Sequence, residues 1–110
     1  MVVLELDHEG LDKAAWQAAA CVPDPEIPAV TVAELGILRS VKVKGKTAIA
    51  DVTPTYSGCP AVLAIEFAIE AALLDAGFEP EIRRVMSPAW TTDWITQEGR
   101  NKLKAYGIAP

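Results

Sequence analysis

The sequence predicts an α/β (α+β) domain: a small mixed sheet of about three strands with helices packed on it, in the order α-β-β-α-β-α. Three observations carry this. Two alternating stretches meet at Lys44-Gly45-Lys46, the signature of a hairpin. A long amphipathic helix pattern separates the second of them from a third strand-like stretch, which is the layout of a crossover between parallel strands. The chain has 110 residues and is 51% hydrophobic, enough for one domain to bury a core without disulfide staples. We therefore expect a single domain over 11–110 with an N-terminal extension at 1–10.

The first helix is expected from Leu11 to Cys21, where Leu11, Ala14, Ala15, Ala18 and Ala19 recur at helical spacing beside Trp16. Pro23, Pro25 and Pro28 end it, so Val22 to Pro28 must be a loop. Ala29 to Leu35 reads as a short helical turn closed by Gly36. Ile37 to Val43 is the first strand, with Ile37, Val41 and Val43 on one face, and Thr47 to Thr53 the second, with Ala48, Ala50 and Val52 together.

The strongest helix runs from Ala61 to Ala76. Val62, Ile65, Ile69, Ala72 and Leu73 form its apolar stripe, Glu66 and Glu70 lie on another face, and Gly77 closes it. Glu81 to Met86 is the third strand, broken by Pro88. Thr96 to Tyr106 is the last helix, with Thr96 as N-cap and Gly107 as its stop.

The charge balance excludes some partners. The net charge is -5, and the densest positive run is only Lys42, Lys44 and Lys46, so nucleic acid is not an expected ligand. No apolar run reaches the length of a membrane span, and the acidic start lacks the pattern of a secretion signal, so a cytoplasmic location is expected.

Two cysteines, Cys21 and Cys59, cannot build a disulfide framework. Cys21 reads as a small buried hydrophobe. Cys59 differs. Pro60 after it favours the first helical position, which puts Cys59 at the N-cap of the long helix. There, unpaired N–H groups and the positive end of the helix dipole stabilise a thiolate. A thiolate binds soft metals and iron–sulfur clusters. Gly58 permits close backbone approach, and Thr55, Tyr56 and Ser57 add hydroxyls. Against this stands a plain capping role, although Ser, Thr, Asp and Asn cap better than Cys.

Asp24 and Glu26, in Pro-Asp-Pro-Glu, fit ordinary turn chemistry. Trp90 and Trp94 have two readings, packing under the sheet or forming a partner-contact patch. The single histidine, His8, is not placed to serve Cys59 as a base, so a cysteine hydrolase is not expected.

Asp24-Pro25-Glu26, Leu35-Gly36-Ile37, Thr53-Pro54-Thr55-Tyr56-Ser57-Gly58-Cys59-Pro60, Pro88-Ala89-Trp90 and Tyr106-Gly107-Ile108 stand in an order and spacing that resemble the iron–sulfur cluster assembly-factor family, which includes SufT-like bacterial proteins. Thr53 to Ala61 and Trp90 to Pro110 are most similar to its PaaD branch, the accessory proteins of phenylacetyl-CoA epoxidase. The resemblance implies a compact domain, often a homodimer, that is not itself an enzyme. It implies Cys59 as the thiol that meets a transient iron–sulfur cluster or its metal, with Asp24 and Glu26 important beside it. It implies a client metalloprotein or epoxidase subunits as partners, in phenylacetate degradation. The branch continues into a cysteine-rich segment, whereas this sequence stops at Pro110, as a trimmed chain or a shorter homologue. A non-catalytic adaptor with a structural Cys59 is the alternative.

Overall fold

Helix α1, His8–Ala20, opens the fold in a computed structural model that describes residues 8–55 and 59–107. For His8, Glu9, Cys59, Pro60 and Ala61 only the backbone course is described. Ala15 and Ala19 are fully buried and Leu11, Ala14 and Ala18 pack around them, so the small-residue stripe lets α1 lie close on the sheet. The polypeptide then makes the loop predicted from its prolines. Asp24 N–H donates to Val30 O at 2.8 Å and Val32 N–H to Val22 O at 2.9 Å, which closes the loop like a small hairpin.

Cys21 is exposed, not buried as the sequence leads us to expect. The buried positions at this end of α1 are Ala15, Ala19 and Val22. Cys21 lies one residue past the end of α1, in the turn where Val22 instead takes the buried position.

Residues 31–36 form one helical turn with a capping box. Thr31 Oγ1 accepts from Glu34 N–H at 3.2 Å, and Glu34 Oε1 accepts from Thr31 N–H at 2.9 Å. Gly36 ends the turn at φ +76°.

The sheet has the order β1-β2-β3, with β1 at Leu38–Lys44, β2 at Thr47–Val52 and β3 at Glu79–Arg84. Strands β1 and β2 are the antiparallel hairpin; β2 and β3 run parallel, joined by helix α2 at Cys59–Asp75. Strand β1 departs from the simple alternation expected of it. Leu38 pairs with Val52, but Ser40 pairs with Asp51, so Arg39 is an extra residue. This bulge shifts the phase by one: Leu38 is buried before it, Val41 and Val43 after it. The free edge of β1 is closed by α1, whose Asp12 Oδ1 accepts the Val43 N–H at 2.7 Å. Pro80 is tolerated in β3 because that strand is the other edge.

Helices α1 and α2 lie side by side on one sheet face. Val62, Ile65, Ile69 and Leu73 are buried there; burial of a leucine such as Leu73 contributes about 2 kcal/mol. Gly77, at φ +94°, closes α2: its N–H bonds to Leu74 O and the Phe78 N–H to Leu73 O, each at 3.0 Å.

Helix α3, Gln97–Ala105, is capped by Thr96 as expected, the Thr96 hydroxyl accepting from Gly99 N–H at 3.0 Å. Its Leu103 joins the buried core. The helix docks on the 31–36 turn, where Thr96 N–H donates to Glu34 O at 2.8 Å and Lys102 Nζ meets Glu34 Oε2 at 2.8 Å. No described helix is long and apolar enough to cross a membrane.

Candidate functional site

Three pieces of chain meet at one end of the sheet: the Pro-Asp-Pro-Glu loop, the exit of β2 and the first turns of α2. Between them lies a shallow, open cleft with room for about one water molecule, lined by Asp24, Glu26, Pro54, Thr55, Val62 and Ile65, with Ile37 and Val52 at its base.

Asp24 is 7% exposed, which is unusual for a carboxylate. Its Oδ2 accepts from the Glu26 N–H at 3.0 Å and from the Ile27 N–H at 2.9 Å. The turn chemistry read from the sequence is therefore present, and the same bonds fix the carboxylate at the cleft wall. Glu26, fixed by the same turn, is exposed.

Thr55 leaves β2 at the cleft, and helix α2 begins four residues later at Cys59. The helix thus starts two residues before the expected Ala61 and takes Cys59 as its first residue, one position inside the N-cap expected for it, a shift within the ordinary ambiguity of helix ends. Cys59 stands in the first turn, where backbone N–H groups lack helical acceptors. Val62, one turn further along, is in the cleft wall. Ser57 and Gly58, like Tyr56 and the Cys59 side chain, lie outside the described residues. Among the described residues, no group of three or more His, Cys, Asp or Glu side chains is arranged to hold a metal ion.

The two tryptophans stand elsewhere. Trp90 is half-buried and its Nε1 donates to Leu35 O at 2.8 Å. It walls a second groove with Thr53, Pro54, Thr55, Met86 and Ala89, so Pro54 and Thr55 separate the two hollows. Trp94 is half-buried under Arg39, whose guanidinium lies 4.4 Å from the ring centre.

Sequence reasoning missed Arg39, which also donates from Nη1 to Thr53 Oγ1 at 3.3 Å and so ties the β2 exit to Trp94. The signal was present: Leu38 and Val41 are out of phase for an unbroken strand. From the sequence Glu66 reads only as lying with Glu70 on another face of the long helix. In the fold it forms a two-pronged pair with Arg84, both contacts at 2.9 Å.

Comparison with known proteins identifies the family. The model of the family described as iron–sulfur cluster assembly protein matches residues 12–84. The chain belongs to that family. It is 44% identical over 96 residues to an Escherichia coli (strain K12) protein named as one of the subunits of 1,2-phenylacetyl-CoA epoxidase, over 86% of this chain. The chain spans 58% of that relative's length. A Bacillus anthracis domain of unknown function, DUF59, shares the fold with a TM-score of 0.76 and 24% identity, covering 92% of this chain and 95% of its own. Rv1466 from Mycobacterium tuberculosis, described as associated with [Fe-S] complex assembly and repair, has a TM-score of 0.50 and 30% identity, covering 100% of this chain and 97% of its own. The three-helix, three-stranded mixed α+β architecture is thus that of its DUF59 neighbours.

Proposed function

We propose that the protein is an accessory factor that helps assemble an iron–sulfur cluster or transfer it to a client metalloenzyme, and that the Cys59 thiolate is its cluster-facing ligand. The observation that carries this reading is the start of α2 at Cys59, one turn before Val62 enters the cleft that Asp24 and Glu26 line. The helix terminus favours the thiolate, and the carboxylates keep the approach polar. The client we propose is the phenylacetyl-CoA epoxidase complex, supported by the 44% identity to a protein named for that complex.

One thiolate does not hold a cluster, which takes about four protein ligands. The remainder come from the client or from a second copy of the chain in a homodimer. Delivery is then ligand exchange: a client cysteinate displaces Cys59 from iron, with no change in the cluster's oxidation state. The cluster is cargo, and the chain acts without turnover of its own, in the cytoplasm. Thr55, Ser57 and Gly58 shape the approach to the thiol, and Trp90 and Trp94 brace a surface that the client contacts.

Anaerobic reconstitution with iron and sulfide tests the ligand. Wild type should gain visible absorption with matching iron and sulfide content, and Cys59→Ser should lose most of it. Equal absorption in both would remove Cys59 from the account. A second reading, an adaptor in which Cys59 is structural, is favoured by the exposed Leu63, Phe67 and Leu74 on α2.

A further inference from the structure

Helix α2 is apolar on two sides and uses only one. The inner stripe is buried, but on the outer side Leu63, Phe67 and Leu74 are 48%, 66% and 56% exposed. They are three of the five large exposed hydrophobics among the described residues. At helical spacing, Leu63, Phe67, Glu70 and Leu74 fall within about 60° of one another and form a strip about 16 Å long. Ala71 beside it is exposed too. Glu70 sits in the middle of the strip, exposed and without an ion-pair partner among the described residues, whereas Glu66 is taken by Arg84.

We propose that this strip docks an amphipathic helix of the client protein, one that carries a lysine or arginine to meet Glu70. The proposal rests on the maturation role above and names the chemistry by which that client is recognised.

Charge selects this occupant over a second copy. An antiparallel self-pairing centred on the strip sets Leu63 against Leu74 and Glu70 against Phe67, so both Glu70 carboxylates share one apolar seam without a cation. A parallel pairing sets Glu70 on Glu70. Each arrangement desolvates like charges, which disfavours it strongly. A partner helix with a cation at that point satisfies the strip and its charge together. Position supports the same occupant. Cys59 begins the same helix four residues before Leu63, about 6 Å along the axis, so a chain lying on the strip ends near the helix start that Cys59 forms. A three-turn strip is also small enough for a transient complex, and delivery requires release.

The test uses the full chain with a benzoylphenylalanine photo-crosslinker at position 67 and the purified phenylacetyl-CoA epoxidase complex from the same genome. The expected product is an adduct to an epoxidase subunit, on a helical peptide containing Lys or Arg, with Glu70→Lys lowering the yield at least about tenfold. An adduct to a second copy of the chain overturns the proposal, as does no adduct from a folded protein. Epoxidase metal content in cells carrying Phe67→Asp or Cys59→Ser separates this proposal from the reading beneath it. Loss with Cys59→Ser but not with Phe67→Asp removes the docking strip alone. Loss with neither removes the maturation role, and the docking strip with it. Loss with Phe67→Asp alone keeps the strip and removes Cys59 from the account.

Discussion

Trp94 is pressed against Gly36: a Cβ placed on Gly36 would stand 2.5 Å from the Trp94 Cβ and 2.7 Å from its carbonyl oxygen. Gly36 also has φ +76°, a conformation costly to any residue with a side chain. The contact joins the turn before β1 to the loop that carries both tryptophans. Gly36→Ala should therefore cost about 2–4 kcal/mol. A urea or thermal unfolding curve checks this; a melting point within about 2 °C of wild type would contradict it.

Trp90 is the second tie between the same two segments. Trp90→Phe keeps most of the apolar wall but removes the donor to Leu35 O. The expected loss is about 1 kcal/mol in the unfolding free energy. A loss above about 3 kcal/mol would mean that ring packing, not the hydrogen bond, holds the loop.

Asp24 has two roles that substitution separates. Asp24→Ala deprives the Glu26 and Ile27 N–H groups of their acceptor and should cost about 1–3 kcal/mol. Asp24→Asn keeps an acceptor oxygen and should cost under about 1 kcal/mol while removing the charge from the cleft. If the carboxylate serves the site, Asp24→Asn folds normally and still lowers client maturation. Full maturation by a folded Asp24→Asn protein would reduce Asp24 to a turn residue.

Glu34 makes part of the stability pH-dependent. Burial raises its pKa, but the Lys102 ammonium and the Thr31 N–H and hydroxyl outweigh that and leave it below the ordinary 4.5. The folded state therefore binds this proton less readily than the unfolded state. The contribution is present above about pH 4.5 and fades as pH falls through the folded value. Lys102→Ala should lower stability near pH 7 by under about 1 kcal/mol, because the lysine is 44% exposed. Urea midpoints measured across the acid range should show the deficit shrinking as pH falls. A deficit that does not change with pH would assign the contact to packing instead.

Most of the fold was legible because local signals agreed with it. Pro23, Pro25 and Pro28 end α1, Lys44-Gly45-Lys46 turns the hairpin, Gly77 closes α2 and Thr96 caps α3. What escaped was set by contacts between distant residues. The bulge at Arg39 follows from register with β2, and the exposure of Cys21 from the choice of Val22 as the buried residue. The pairing of Glu66 with Arg84 follows from β3 lying beside α2. At the site, the turn at Asp24 could be read locally. That it shares a cleft with Thr55 and the first turns of α2 required the fold.

The role proposed for Cys59 is in the maturation of a metalloenzyme. The direct measurement is the iron and sulfide content of the epoxidase complex purified from cells in which Cys59→Ser replaces the wild-type chain, with unfolding curves showing that the variant is folded. The client should be deficient in metal and restored by wild type. A fully loaded client from cells carrying a folded Cys59→Ser protein would contradict it.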